Sequence, residues 1–441
     1  MQVQVTRTFN LPEGIKSVNQ LEEAILEFGR RVMQELFLTN IKLFERHNYR
    51  CGKCRSSNVE PRGTKPRNVS LVFGEVKVQR ARVFCRECET LSQPADVLLD
   101  ELEGGHVTYG LREIISLSAA SWDFEEAQGV IERLCAVKLS HETIRDLSYK
   151  EAERVIEEQT KRAEEVMKIR GEESSKTPGS NRSVGDSRQE EVEFVCTEMD
   201  GGYVHSRENR GGMEGKVGLI YTKREKVGKD RYKLSDKRVV VSFVGSERLG
   251  KLCYVEAKEK GIEVAKKSAV LGDGALWIWE QKGEHFPEAK AILDLFHLKR
   301  AVWDAINSVE LPEGQKGIGI MGQGIVEALE DGGTDVACGL IEGLMEVCEA
   351  GKEELSGLLG YIRNNREAIP CYVKLREEGY PVGSGAVEKQ VDLVINRRMK
   401  GKRGMTWTRD GADALGALRA LWLNGDWENY WDRRQNHRKV A

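Results

Sequence analysis

Two Cys-x-x-Cys pairs, Cys51-Gly-Lys-Cys54 and Cys85-Arg-Glu-Cys88, stand thirty residues apart and constrain the N-terminal part of this chain more than any other feature. At that spacing one tight turn of backbone aims two thiolates at a single ion, and four thiolates close a tetrahedral shell with no position left for substrate. Between the pairs, Val69-Ser-Leu-Val-Phe-Gly-Glu-Val-Lys-Val-Gln alternates and breaks at Gly74, as a hairpin does. The expectation is a zinc ribbon over 49–104, with Cys51, Cys54, Cys85 and Cys88 holding structural Zn. A redox site normally needs one such pair only. The six other cysteines are scattered, which suits reduced thiols better than a disulfide scaffold.

A chain of 441 residues exceeds one ordinary core, so several domains are expected. Residues 1–48 read as a helical lead-in with an apolar stripe through Leu21, Ile25, Phe28, Val32, Leu36 and Leu43. After the ribbon, 105–170 turns helical, with Ser140 placed to cap a helix beginning near Thr143. A short helix, a turn and a second helix fit a helix-turn-helix-like DNA-binding domain, and equally many other small helical domains. Residues 171–190 are small and polar and read as a linker. No apolar run approaches the roughly 20 residues that span a bilayer, and no signal peptide opens the chain, so a cytoplasmic protein is expected, nucleoid-associated where it acts on DNA.

The net charge of −3 argues against a nucleic-acid binder, but its distribution does not. From Lys42 to Arg86 there are 12 basic and 3 acidic residues, and from Arg207 to Arg238 there are 11 and 5. The run Arg397-Arg-Met-Lys-Gly-Lys-Arg-Gly-Met-Thr-Trp407 is basic with an aromatic at its end. Arg397, Arg398, Lys400, Lys402 and Arg403 are candidates to neutralise phosphates, and Trp407 to stack on an unpaired base. The alternatives are a solvated loop and a core tryptophan. Trp422, Trp427 and Trp431 read as packing for the C-terminal helices.

From 191 to 441 the coarse order is three strands (192–200, 217–222, 238–244), a helix, a strand (268–273), a helix and a strand (290–294). A helical insertion over about 298–380 follows, then a helix carrying Glu388. This is a mixed α/β pattern in the order of a ribonuclease H-like fold. Asp200 and Asp273 each close an apolar run, and Glu388 lies early in its helix. Carboxylates are the ligands Mg²⁺ prefers, and two such ions can activate an attacking oxygen and stabilise a leaving one. Glu198 and Asp392 are competing acids: the first shares a strand face with Asp200, the second lies one helical turn beyond Glu388.

Val270-Leu-Gly-Asp-Gly-Ala-Leu-Trp-Ile-Trp279, Phe286-Pro-Glu-Ala-Lys-Ala-Ile-Leu-Asp-Leu-Phe-His297 and Gly383-Ser-Gly-Ala-Val-Glu388 resemble, in order, motifs of DDE transposases of the ISKra group of bacterial insertion sequences (related to the ISLre group). Arg398-Met-Lys, Gly404-Met-Thr-Trp407, Leu418-Arg-Ala and Trp427-Glu-Asn-Tyr-Trp431 continue the resemblance. The N-terminal double Cys-x-x-Cys and the helical segment after it agree, and the whole covers nearly the full chain. It implies that Asp200, Asp273 and Glu388 form a triad for two Mg²⁺ or Mn²⁺ ions. It also implies that His297, in Asp294-x-x-His297, helps to position DNA. Two departures are Asp200-Gly-Gly-Tyr, where the group typically has a hydroxyl residue or Gly after Asp-Gly, and Glu388-Lys-Gln, where it often has a small residue and then Ala or Cys. The activity implied is cleavage at element ends and transfer of a 3′-hydroxyl into target DNA. Two DNA ends must be handled together, so a homo-oligomer of at least two copies on DNA is expected. A transposon-derived DNA-binding protein without catalysis, and a metal-dependent nuclease that does not join, remain the alternatives.

Overall fold

The computed structural model describes residues 6–10, 13–99, 102, 106–174, 192–228, 232–313, 317–401 and 404–440. The chain divides into two compact units, Met1–Glu151 and Ala152–Ala441.

The first unit opens with α1 (Val18–His47), whose start is capped by Ser17 accepting from the Gln20 N–H. Its C-terminal half packs through Phe37, Leu38 and Ile41 onto the sheet, whereas Ile25 is 52% exposed, so the expected stripe is buried only in part. Strands β1 (Val59–Leu71), β2 (Gly74–Cys85) and β3 (Leu91–Ser92) form an antiparallel sheet in that order. The β1–β2 turn ends at Gly74, whose φ of +119° is one that residues with a Cβ rarely adopt. A short α2 (Asp96–Leu99) follows. Then α3 (Tyr109–Ser121), α4 (Phe124–Cys135) and the beginning of α5 (His141–Ser174) bury Leu111, Ile115, Ala127, Ile131, Ile144 and Leu147 together. Asp123 caps α4, and Ser140 Oγ accepts the Thr143 N–H at 3.2 Å, the cap its sequence suggests.

Helix α5 runs on to Ser174, so the division between the units falls within this helix, before the expected linker. Of that linker, 175–190 lies outside the described residues.

The second unit is built on β4 (Phe194–His205), β5 (Gly212–Lys226), β6 (Tyr232–Ser242), β7 (Lys267–Gly272) and β8 (Lys290–Leu293), ordered β6-β5-β4-β7-β8. The first three pair antiparallel; β7 and β8 continue parallel to β4. Parallel pairing needs crossovers, supplied by α6 (Ser246–Glu259) and α7 (Leu276–His285). Side chains alternate along β4. Val195 and Met199 meet Leu249, Leu252, Cys253 and Ile278 of these helices in one core. Glu198, Asp200 and Gly202 therefore face the other side.

The insertion consists of α8 (Leu295–Asn307), α9 (Ile318–Glu330), α10 (Thr334–Val347), α11 (Lys352–Asn364), a short 3₁₀ turn and α12 (Tyr372–Glu377). Next come α13 (Gly385–Val391), a π-helical turn (Asp392–Asn396) and α14 (Arg397–Met399). Helices α15 (Arg409–Leu423) and α16 (Trp427–Val440) end the chain. Trp427 and Trp431 are buried with rings 5.9 Å apart, as expected of packing tryptophans, while Trp422 stays 47% exposed. No helix among the described residues is long and apolar enough to cross a membrane.

Candidate functional site

The four cysteines of the two pairs converge. Cys51 and Cys88 sulfurs are 3.6 Å apart, Cys54 and Cys85 sulfurs 3.5 Å, and all four lie within 4.8 Å of one another. A tetrahedral ion with bonds of about 2.3 Å sets its ligands about 3.8 Å apart, so the cluster fits one. Both loops are built alike: Arg55 and Glu89, each just after the second cysteine of its pair, hold φ of 59° and 52°. Non-glycine residues adopt this conformation rarely, and here it turns the chain so that both sulfurs of a pair point inward. The Lys53 N–H donates to Cys51 Sγ at 3.3 Å. The Cys54 backbone N–H, with that of Lys53, holds the Cys51 thiol well below its usual range, as suits a thiolate ligand.

In the second unit, strand register brings the first two acids together. Thr197 pairs with Val270 and Glu198 with Leu271, a constant offset of 73 (270 − 197, 271 − 198), and Asp200 and Asp273 carry the same offset. Adjacent strands are about 4.8 Å apart, so the two aspartates leave neighbouring positions. Asp273 stands just past the end of β7 and Asp200 within β4, which runs on to His205, beyond the strand end that the sequence suggests at Asp200. Helix α13 lies over the same face. Gly202 makes this possible, since a Cβ there would sit 2.7 Å from Val391 and 3.2 Å from Ile395. Glu198 fixes the helix end: buried, it accepts the Tyr221 hydroxyl at 2.8 Å and the Val387 N–H at 3.0 Å. Glu388, the next residue, projects toward the acids and accepts the Ser384 hydroxyl at 3.3 Å.

Asp294 caps α8 by accepting the His297 N–H at 2.7 Å and also accepts the Ser384 N–H, tying α8 to the loop before α13. His297 Nδ1 lies 3.2 Å from Asp294 Oδ1 and 4.0 Å from Glu388 Oε1. Asp294, His297 and Glu388 offer ligand atoms within 4.8 Å of one another. Asp200 stands in electrostatic contact with Asp273, Glu388 and His297, and Asp273 with His297, but the oxygens of Asp200, Asp273 and Glu388 do not all meet within that distance. The compact group is therefore Asp294, His297 and Glu388, with Asp200 and Asp273 beside it.

The insertion braces the second acid. The Tyr361 hydroxyl on α11 donates to the Asp273 carbonyl at 2.7 Å, and the Trp279 indole donates to Asn365 at 2.6 Å. Between them Gly274, at φ +99°, turns the chain where a Cβ would press on Tyr361. The charges respond as crowded carboxylates do. Burial, with the like charges of Asp273 and Glu388, pushes Asp200 up to about 6 against the opposing Gly201 N–H. Burial pushes Glu198 up to about 7 despite its two donors. Contact with Asp294 raises His297. Asp294 is lowered, its contacts with His297 and Ser384 outweighing its burial.

The basic run separates into two groups. Arg397 and Lys400 are exposed, and Arg397 pairs with Asp392 at 2.8 Å. Arg398 and Trp407 are buried instead: Arg398 is 2% exposed and stacks 5.2 Å from the Trp407 ring centre, and Trp407 donates to the Met399 carbonyl at 3.0 Å. These two correct the sequence reading, because neither presents a face to a phosphate or a base. Lys402 and Arg403 lie outside the described residues. Of the competing acids, Glu198 is a buried anchor, and Asp392 pairs with the exposed Arg397.

Fold and site define a mixed α/β protein with a carboxylate–histidine cluster on its central sheet and a four-cysteine cluster on a separate small one. The chain belongs to the uncharacterised protein family UPF0236, whose model matches residues 11–435. One relative, from Streptococcus gallolyticus and described as the UPF0236 protein in the vanSb 3′ region, is 22% identical over 384 residues, covering 83% of this chain and 74% of its own.

Proposed function

We propose that this chain is a DNA transposase of the DDE type, cutting at element ends and transferring a 3′-hydroxyl into target DNA. The observation that carries the reading is the shared register of Asp200 and Asp273 on parallel neighbours, with Glu388 brought over the same face by α13. The strand order β6-β5-β4-β7-β8, antiparallel then parallel, is the order expected of a ribonuclease H-like fold and supports the reading. So do the ordered motifs shared with the ISKra group.

The donor set is hard oxygen with one imidazole, which fits Mg²⁺ or Mn²⁺. Two such ions, when bound, would supply an activated attacking oxygen and a stabilised leaving oxygen. The protein's own part is to hold Asp200, Asp273 and Glu388 as a concentrated negative field that divalent ions neutralise. Glu198 and Ser384 fix the direction of Glu388, and Tyr361 fixes the turn of Asp273. His297, whose pKa is raised by its contact with Asp294, would offer a cation to a phosphate when protonated. In the first unit, the cysteine cluster fits a structural Zn²⁺ that holds a ribbon.

The test uses the purified chain with DNA from both flanks of its own gene and Mg²⁺ or Mn²⁺, beside Asp273→Asn. Defined cleavage and joined strands are expected, with the variant at least about 10³-fold slower, the loss of several kcal/mol of charge stabilisation. Cleavage without joined strands would make the protein a nuclease, and specific binding without any product would make it a DNA-binding protein.

A further inference from the structure

Beside α13, away from Glu388, the second unit carries an open cleft of about 1230 Å³. Six cations line it, Arg224, Lys226, Lys233, Lys237, Arg376 and Lys389, against one acid, Glu198. They come from four separate segments: the end of β5, strand β6, the end of α12 and α13. On α13, Gly385, Ala386, Lys389 and Gln390 face the cleft, while Glu388 faces His297. Cleft and acid cluster therefore lie on two sides of one helix, joined through Glu198 and its bond to Val387.

A run of lysines is usually a solvated face. Here the cations converge on a concavity. Lys226, Lys233, Lys237 and Lys389 are exposed and make no ion pair among the described residues. Like charges gathered without partners repel one another and call for an extended polyanion. The one acid, Glu198, is buried and turned to the Tyr221 hydroxyl and the Val387 N–H, so it presents no carboxylate at the cleft surface. Tyr232 adds a second kind of contact: its ring is 43% exposed and stacks with Arg224 at 3.5 Å, the pairing of cation and aromatic on which unpaired bases rest. A duplex hides its base faces; a single strand presents them.

We propose that this cleft binds a single strand of nucleic acid, its phosphates against Lys226, Lys233, Lys237 and Lys389 and a base against Tyr232, as a track separate from the acid cluster across α13. The inference rests on the reading of this unit as acting on DNA strands, and names where one strand runs.

The experiment measures fluorescence anisotropy of an oligothymidylate of about 20 nucleotides with the full chain and no added Mg²⁺ or Mn²⁺, as salt is varied. The Lys226→Ala/Lys233→Ala/Lys237→Ala variant should bind at least about tenfold more weakly, with a log–log salt slope shallower by about 2, near 0.7 per lost contact. Tyr232→Leu should weaken binding about fivefold or more and leave the slope unchanged. A 5-iodouracil-containing strand should cross-link to the peptide bearing Tyr232. An unchanged slope in the triple variant, or tighter binding of the duplex of equal length, overturns the proposal. Asp273→Asn should bind as the wild type does. Failure of cleavage therefore removes the transposase reading without touching this one, and failure of the slope test does the reverse.

Discussion

The four cysteines come from one hairpin and its flanking loops, whereas Asp200, Asp273, His297 and Glu388 come from two strands and two helices spread over most of the second unit. The cysteine cluster is closed, and its ligands attract the ion that would unite them. The acid cluster is open, and its members repel one another. The first needs little scaffold; the second must be held against its own charge by Glu198, Ser384, Tyr361 and the register of β4 with β7. Metal would therefore be a folding component in one region and a working component in the other.

The sharpest way to break this contrast is to remove metal from each region. Cys85→Ser, or chelation of zinc, should unfold the β1–β3 sheet, since structural zinc contributes on the order of 10 kcal/mol to such folds. Hydrogen exchange should show protection lost there and kept in β4–β8; equal protection before and after would remove the ion from the first region.

In the second region the opposite sign is expected. An acid whose folded pKa is raised contributes no penalty below its usual 3.8 and its full penalty above about 6, where it is ionised in both states. Asp200→Asn keeps the acceptor for Gly201 and should stabilise the metal-free protein at pH 7 by up to about 3 kcal/mol. The gain should disappear below pH 3.8 and be offset when Mg²⁺ stabilises only the wild type. Thermal unfolding across pH reads this directly; a destabilised variant would mean that Asp200 is held by attraction.

The smallest effect is at His297. Its raised pKa means its contact with Asp294 stabilises below pH 6.5 and fades as pH rises through the folded value. His297→Ala should cost less than about 1 kcal/mol at pH 6, because water screens a partly exposed pair, and nothing well above that range. A loss independent of pH would assign the residue to packing.

Much of this contrast is legible in the sequence, for reasons that differ by element. The apolar runs ending at Asp200 and Asp273 locate β4 and β7 because a strand buried on both faces needs continuous apolar residues. The cysteine spacing is equally direct, since its geometry is local. Glu198 reads only as a rival acid, because its partners Tyr221 and Val387 are distant in sequence and one of them is a backbone N–H. Arg398 and Trp407 mislead in the other direction: residue type marks them as DNA contacts, and only packing shows that each buries the other. Helix α5 extends to Ser174 through good helix formers such as Glu164, Glu165 and Lys168, whose charge masks an apolar period.

The offset of 73 shared by Asp200 and Asp273 has a consequence for how such a chain can change over time. Lengthening or shortening the β5–β6 hairpin or α6 alters the count between the two acids without altering which residues lie side by side. Deleting one residue between Lys267 and Asp273 instead turns the second acid to the opposite face of the sheet. Relatives should therefore vary freely in the length of the first stretch and tolerate no insertion or deletion in the second.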